Sequence, residues 1–141
     1  MIVADTQLLV YLTMPVPESP LAAAVLAIDA EWASPLLWRS EFRNALLGFL
    51  RAGRAALDDA LMGFVKAAMV VDGREHAIDT STLLHMSVGN RITAYDLEFV
   101  VLAQSLGVPL VTFDKDVLSA FPGVAVHPSD FVAASSEPPR S

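Results

Sequence analysis

The chain has 141 residues and no cysteine, and it is 54% hydrophobic and 18% charged. This length predicts one domain with one apolar core, and the apolar content excludes disorder over most of the chain. The missing cysteines exclude disulfides, thiolate zinc sites and a cysteine nucleophile, so any metal must bind oxygen or imidazole. The net charge of −7 disfavours a protein that holds nucleic acid through Lys and Arg alone.

Membrane association is not expected. No apolar run approaches the roughly 18 residues of a membrane span, and Met1 leads straight into Ile2 without a basic leader. We therefore expect a cytoplasmic protein. The folded domain is predicted over residues 1–132, and the small, polar, proline-bearing segment 133–141 is predicted to be a disordered tail.

The first half of the chain begins with a strand and continues with helices. Ile2–Ala4 predicts a short buried strand that ends at Asp5 and is followed by a helical turn. After a proline-rich loop, Ser19 begins the next predicted helix, with proline at its first position. We interpret Ser34 and the proline after it as the start of a longer helix that closes at Gly53.

The second half alternates helices with strands. Its patterns predict helices over 58–69, from Asp79 or Thr80 to about Ser87, and from Thr93 to Gly107, and strands over 108–112 and 124–126. Strands that alternate with helices predict an α/β fold, with helices on both faces of a mainly parallel central sheet.

Four acidic residues are expected near the edge at which such a sheet binds its ligands. Asp5 and Asp114 each follow a short apolar strand, and ligands of open α/β sheets bind beyond the carboxyl ends of the strands. Glu41 and Asp96 lie on helices whose first turns reach the same place, so the four carboxylates converge if the two strands are neighbours. Taken singly, each acid is as well explained by a turn, a helix cap or a solvated helix flank.

A cluster of carboxylates needs a counter-ion, because each negative charge raises the pKa of its neighbours. Mg²⁺, with Mn²⁺ as an alternative, prefers oxygen ligands and keeps several waters, so one or two direct carboxylates suffice. Asp5 and Asp96 are the expected direct ligands, and Glu41 or Asp114 orients the attacking water or its metal. Such a site suits phosphodiester hydrolysis by metal-activated water, with one ion or two.

Five segments, taken in order, resemble the signature blocks of PIN domains, and in particular of the VapC-type toxins of bacterial toxin–antitoxin pairs. They are residues 2–6, 41–46, 93–103, 109–116 and 126–131. The resemblance spans about residues 1 to 132. It implies a PIN-like three-layer α/β/α fold, dependence on Mg²⁺ or Mn²⁺, and endoribonuclease activity on RNA. It also implies a homodimer and a cognate antitoxin protein as partners.

The resemblance also assigns residues by position. Asp5, Glu41, Asp96 and Asp114 match the acidic quartet, with Asp5, Asp96 and Asp114 as metal ligands. Asn44 and Thr112 match polar residues that support the quartet, and Thr6, Thr93 and Asp116 are further candidates for supporting roles. Asp116 can replace or supplement Asp114 as the fourth acid. Gln7 departs from the pattern, because relatives often carry Asn or Ser at that place.

Basic, aromatic and exposed apolar residues are candidates for contacts with RNA or protein. The basic residues that could grip phosphates are Arg39, Arg43, Arg51, Arg54, Arg91 and Lys115, although a solvated helix face explains them as well. The aromatic side chains that could stack on bases, or pack in the core, are Trp32, Trp38 and Tyr95. Apolar residues around 46–50, or Leu61 and Phe64, predict a partner surface if they stay exposed.

Two other functions remain open. A phospho-acceptor regulatory domain also uses Mg²⁺, acids at strand ends and a lysine after a late strand, a place that Lys115 fills. Such a domain carries an acidic pair near its first strand, and Asp5 has no acidic neighbour there. A PIN-like interaction module that does not cut RNA would bind a partner protein without turnover.

Overall fold

The computed structural model describes residues 1–136, and within that range the chain forms five strands and eight helices. The strands are β1 (Ile2–Ala4), β2 (Trp32–Pro35), β3 (Glu75–His76), β4 (Leu110–Val111) and β5 (Ala125–Val126). The helices are α1 (Thr6–Thr13), α2 (Ser19–Ile28), α3 (Trp38–Arg51), α4 (Leu57–Val70), α5 (Thr80–Met86), α6 (Ala94–Leu106), α7 (Lys115–Ala120) and α8 (Pro128–Ser136).

The strands form one parallel sheet in the order β3-β2-β1-β4-β5. Its central strand sends side chains to both faces: Ile2 and Ala4 pack into one apolar cluster, and Val3 packs into another. This alternation follows from the two-residue period of a strand. With a core on each face, the predicted three-layer α/β/α arrangement is confirmed.

The strand order reverses between β1 and β4. The chain builds outward from β1 to β3 on one side and then crosses to β4 and β5 on the other. Residues that follow β1 and β4 therefore lie at the switch point of the sheet, where open α/β folds bind their ligands. Asp5 directly follows β1, and Thr112 directly follows β4.

The prediction of a helix start at Ser34 is wrong, because residues 32–35 form β2 and α3 begins at Trp38. The backbone N–H groups of Ser34 and Leu36 donate to carbonyls on the β3 side at 3.1 and 3.0 Å. The hydrogen bonds between β2 and the β3 side therefore involve the residues before and after Pro35, which has no backbone N–H. Proline is tolerated in a strand at such a place.

The predicted caps of the later helices agree with the structure. Thr93 caps α6 through its hydroxyl, and Gly107 ends that helix at a φ of 67°. Asp79 caps α5 by accepting a hydrogen bond from the Thr82 N–H. No helix of residues 1–136 has the length and apolar content needed to cross a membrane.

The prediction of a disordered tail is wrong for its first residues. Helix α8 runs from Pro128 to Ser136, so 133–136 are helical. The hydroxyls of Ser135 and Ser136 donate to carbonyls one turn earlier at 3.0 and 3.1 Å, which satisfies their polarity inside the helix. Residues 137–141 lie outside the described part of the chain.

Candidate active site

The four predicted acids line a single cavity at the carboxyl edge of the sheet. The cavity has a volume of about 190 Å³. Its lining comprises Asp5, Thr6, Gln7, Glu41, Asp96, Phe99, Leu110, Thr112, Phe113, Asp114 and Val117. The fold therefore brings together carboxylates from four separate segments, and their chemical role stays a prediction.

Asp5 is the most constrained of the four. Its Oδ1 accepts the Leu8 N–H at 2.7 Å, which caps α1, and its Oδ2 accepts the Thr112 hydroxyl at 2.6 Å and the Phe113 N–H at 3.1 Å. The pKa of Asp5 is raised to about 6, because burial and, to a smaller extent, the charge of Asp114 outweigh the lowering effect of these hydrogen bonds. The ionised form is thus held at a cost that a nearby cation would remove.

Asp114 lies at the exposed mouth of the cavity and caps α7 by accepting the Val117 N–H at 2.9 Å. Its own N–H donates to the Thr112 hydroxyl oxygen at 3.1 Å. Asp116 lies one half-turn further along α7 and lines a neighbouring pocket together with Asp96 and Arg91. Of the two candidates for the fourth acid, Asp114 is therefore the one that lines the acidic cavity.

Glu41 and Asp96 occupy the first turns of α3 and α6. Glu41 accepts the Thr6 hydroxyl at 2.7 Å, so Thr6 orients this carboxylate. Burial raises the pKa of Glu41, and the charge of Asp96 adds to that rise. Burial also raises the pKa of Asp96, with further contributions from the charges of Asp114 and Asp116.

All four acids sit at helix N-termini. Asp5 and Asp114 are the capping residues of α1 and α7, and Glu41 and Asp96 follow within the first turn of their helices. The backbone dipoles at these ends favour nearby negative charge. Capping and ligand binding are therefore compatible uses of the same carboxylates.

The residues fit a hard divalent cation in chemistry, but they do not form a complete cage. Among residues 1–136 no group of three or more His, Asp or Glu side chains stands ready to hold a metal ion. Mg²⁺ needs only one or two direct carboxylates, since water fills the rest of its coordination shell. Asp5 Oδ1 accepts one hydrogen bond, which leaves it a second lone pair for a ligand.

The predicted supporting residues divide into two groups. Thr6 and Thr112 donate hydroxyls to Glu41 and Asp5, while Thr93 accepts the Asp96 N–H at 3.2 Å. Asn44 does not line the acidic cavity. It lines a larger groove on the other side of Glu41, so a direct contact between Asn44 and the acids is not part of this arrangement.

The predicted RNA-binding cations also differ in position. Arg39 is bound to both oxygens of Glu75 at 2.7 and 2.9 Å. Arg43 lies 5.4 Å from the centre of the Phe64 ring. Arg91 lines the pocket that includes Asp96, and Lys115 is exposed at the start of α7. Arg91 and Lys115 are thus the two of these cations that lie beside the acids.

Among the aromatic candidates, Trp32 and Trp38 are fully buried, so base stacking by either is excluded and core packing is their role. The indole N–H of Trp38 donates to Glu75 at 2.6 Å. Tyr95, by contrast, is 63% exposed and borders the larger groove. It is the one of the three that a base could reach.

Glu98 was not predicted as part of this region. It is half-buried on α6, and burial together with the charge of Glu41 raises its pKa. The sequence did hold a signal, because Glu98 stands between Leu97 and Phe99, and both of these are buried. A glutamate between two core residues of a helix is expected to be partly desolvated.

The predicted apolar surface lies between α3 and α4, away from the acids. It is a groove of about 370 Å³ lined by Arg43, Leu46, Leu47, Leu50, Leu57, Ala60, Leu61, Phe64 and Val65. Leu57, Leu61 and Val65 are at least half exposed. Leu46 is buried, which leaves α4 as the main source of exposed apolar area.

Comparison with known proteins gives a match of fold. No protein-family model matches the chain, and no curated protein matches it. Among solved structures, the crystal structure of PAE2754 from Pyrobaculum aerophilum is similar, with a TM-score of 0.74 and 22% identity over 96% of each chain. The chain therefore shares its fold with PAE2754 over nearly its whole length.

Proposed function

We propose that this chain is a metal-dependent endoribonuclease of the PIN-domain type. One observation carries the proposal: carboxylates from four distant segments line one small cavity at the switch point of the sheet. Burial raises the pKa of three of them, Asp5, Glu41 and Asp96. A cluster of desolvated acids destabilises a protein unless a cation binds among them. Residues with perturbed pKa values are concentrated at functional sites.

The proposed ligands are Asp5, Asp96 and Asp114, which would hold Mg²⁺ or Mn²⁺ directly or through water. When bound, such an ion polarises a phosphoryl oxygen and makes a water more acidic. Glu41 is the proposed base, because Thr6 fixes its Oε1 at 2.7 Å and leaves Oε2 to accept a proton from the attacking water. The raised pKa of Glu41 moves this carboxylate toward the range in which a general base works best.

The proposal extends to the biological role that the resemblance implies, a toxin that is paired with an antitoxin protein and forms a homodimer. The exposed apolar residues of α4 support a protein partner of some kind, since large apolar patches on a surface mark interaction sites. Light scattering on the purified chain measures the dimer directly. A monomer at micromolar concentration contradicts that part of the proposal and leaves the nuclease part standing.

The geometry favours neither of the other functions. A phospho-acceptor domain needs an acidic pair near its first strand, and Asp5, which directly follows β1, is flanked in the chain by Ala4 and Thr6. A module that binds a partner without cutting has no need of a desolvated acid cluster. It would show binding without turnover in any metal, an outcome that the following experiment detects.

The proposal is tested by RNA cleavage with purified protein freed of any bound inhibitor. We expect single-stranded RNA to be cut with Mg²⁺ or Mn²⁺ and to stay intact with EDTA. Asp96→Asn should abolish cutting, whereas Asp72→Asn, at an exposed turn before β3 and so at the opposite edge of the sheet, should not. Intact RNA with the wild-type protein in both metals contradicts the proposal.

A further inference from the structure

A second, larger opening adjoins the acidic cavity. This α1–α3 groove has a volume of about 980 Å³ and is lined by Thr6, Gln7, Val10, Tyr11, Val16, Pro17, Glu18, Leu37, Ser40, Glu41, Asn44, Ala45, Gly48, Phe49, Arg54 and Tyr95. It shares Thr6, Gln7 and Glu41 with the acidic cavity. A polymer with one phosphate at the acids can therefore run its neighbouring units along the groove.

The side chains of the groove suit flat, polar-edged groups. Tyr95 is 63% exposed at one border. The hydroxyl of Tyr11 accepts the side-chain amide of Gln7 at 2.6 Å, which fixes both groups. The guanidinium of Arg54 lies 4.8 Å from the ring centre of Phe49. Aromatic rings, arginine planes and amides are the groups on which unpaired bases stack and form hydrogen bonds.

The charge of the groove disfavours phosphate. Its lining holds two carboxylates, Glu18 and Glu41, and one cation, Arg54. Phosphate recognition depends on an excess of Lys and Arg, which is absent among these residues. The groove is thus better matched to the bases of a strand than to its backbone.

Gly48 is an exposed lining residue of this groove. It lies inside α3, where glycine is less stable than alanine. Its φ is not positive, so the backbone does not require glycine. A Cβ added at Gly48 would meet no heavy atom within 4 Å. A side chain at this position therefore begins in open space beside the groove that Gly48 lines.

We propose that the α1–α3 groove binds the unpaired bases of single-stranded RNA beside the phosphate held at the acids, and that Gly48 keeps the groove open. This inference rests on the proposed ribonuclease function, and it adds the groove that receives the bases and the residues that line it. A duplex does not fit, because its bases are stacked and paired and cannot enter a side groove.

The test compares Gly48→Trp, which fills the groove, with Leu47→Trp, its neighbour on α3 that lines the apolar groove instead. Binding of a fluorescein-labelled single-stranded RNA is measured by anisotropy with Ca²⁺, an oxygen-binding cation that can neutralise the acids and with which no cutting is expected. Gly48→Trp should weaken binding by roughly tenfold, the equivalent of one lost base stack. Leu47→Trp should bind as the wild type does.

Cleavage separates this inference from the function on which it rests. With Mn²⁺, Gly48→Trp should lose kcat/KM for RNA about tenfold more than for bis(p-nitrophenyl) phosphate, a small diester without a base. If the wild type hydrolyses neither compound, the proposed function fails. If the wild type cuts RNA and Gly48→Trp binds and cuts RNA equally well, the groove assignment is overturned and the nuclease stands.

A second pair of variants covers the case in which Gly48→Trp does not fold, as judged by its circular dichroism melt. Tyr95→Ala removes an exposed ring and should weaken RNA binding by severalfold, whereas Tyr95→Phe keeps the ring and should restore it. Equal affinity of the alanine and phenylalanine variants would overturn the role of Tyr95 in stacking and, with it, the assignment of the groove to bases.

Discussion

The hydroxyl of Thr112 donates to Asp5 Oδ2 at 2.6 Å and so joins residues that stand 107 positions apart in the sequence. The hydroxyl oxygen of Thr112 in turn accepts the backbone N–H of Asp114 at 3.1 Å. Thr112 is only 2% exposed. One buried side chain therefore joins the end of β1 to the end of β4 and positions two of the proposed metal ligands.

Thr112→Val tests this positioning role, because valine keeps the shape of threonine and removes the hydroxyl. We expect a loss of about 1–3 kcal/mol in the free energy of unfolding, since Asp5 Oδ2 and the Asp114 N–H each lose a partner. Urea melts measure this loss. For RNA cleavage, kcat should fall while KM changes little.

Thr112→Ser is the matched control, since it keeps the hydroxyl and loses only a methyl group. It should retain most of the wild-type kcat. A serine variant as slow as the valine variant would show that the methyl packing of Thr112, and not its hydrogen bond, governs the site.

Asp96→Asn tests the electrostatic cost of the acid cluster. Burial and then the charges of Asp114 and Asp116 raise the pKa of Asp96, so removing its negative charge relieves both the desolvation and the repulsion. We expect the metal-free variant to melt above the wild type, while RNA cleavage is lost. Calorimetry in EDTA measures the melting temperature. A variant that melts below the wild type contradicts the view that the acids repel one another in the folded chain.

Asp5→Asn is expected to behave differently. Asp5 accepts three hydrogen bonds, and an asparagine amide nitrogen cannot accept the bonds that one of the two carboxylate oxygens now accepts. The loss of these hydrogen bonds offsets part of the stability that is gained when the buried negative charge is removed. This variant should therefore gain less stability in EDTA than Asp96→Asn. Both variants should be inactive.

The stability of the metal-free protein should fall as the pH rises from about 4.5 to 7. Burial raises the pKa of folded Asp5 from 3.8 to about 6, so the folded chain binds this proton more tightly than the unfolded chain does. The stabilising contribution of that proton is complete below the unfolded pKa and is lost as the pH rises through about 6. Glu41, Asp96 and Glu98 shift in the same direction.

Melting temperatures in EDTA across this pH range measure the effect. Below about pH 4 an opposite trend should set in, because the pKa values of Asp29, Glu75 and Asp79 are lowered in the fold and their protonation removes stability. A melting temperature that rises steadily between pH 4.5 and 7 would contradict the raised pKa of Asp5.

Alanine variants of Arg91 and Arg39 should differ in their effects, the first on the KM for RNA and the second on the melting temperature. Arg91 lines the pocket beside Asp96, so Arg91→Ala should raise the KM for RNA severalfold and leave the melting temperature nearly unchanged. Arg39 binds Glu75 through two hydrogen bonds, so Arg39→Ala should lower the melting temperature by about 2–4 °C without changing KM. The reverse pattern would move the RNA path to the other side of α3.

The sequence predicted the fold class because each strand–helix boundary carries its own local chemistry. Thr93 and Gly107 mark the ends of α6 by capping chemistry alone. β2 was missed because a Ser-Pro pair is typical of a helix start, and only the strands on either side reveal that Pro35 needs no N–H there. β3 consists of Glu75 and His76, whose polar side chains give no strand pattern.

The acidic cavity was predictable for a related reason. Strand ends and the first turns of the following helices share one edge of a parallel sheet, so Asp5, Asp114, Glu41 and Asp96 are expected to converge once β1 and β4 are neighbours, as they are. The α1–α3 groove was not predictable, since Gly48, Tyr11 and Tyr95 come together only through the angle at which the helices pack. The pairing of Arg39 with Glu75 was missed because it joins a helix to the unpredicted β3.

The most direct test of the account is the position of a metal ion in a crystal soaked in Mn²⁺, found from its anomalous scattering. We predict a peak in the acidic cavity, about 2.1 Å from a carboxylate oxygen of Asp5, Asp96 or Asp114. The peak should disappear in crystals of Asp96→Asn. A well-occupied peak elsewhere with none in this cavity would contradict the claim that these acids form a metal site.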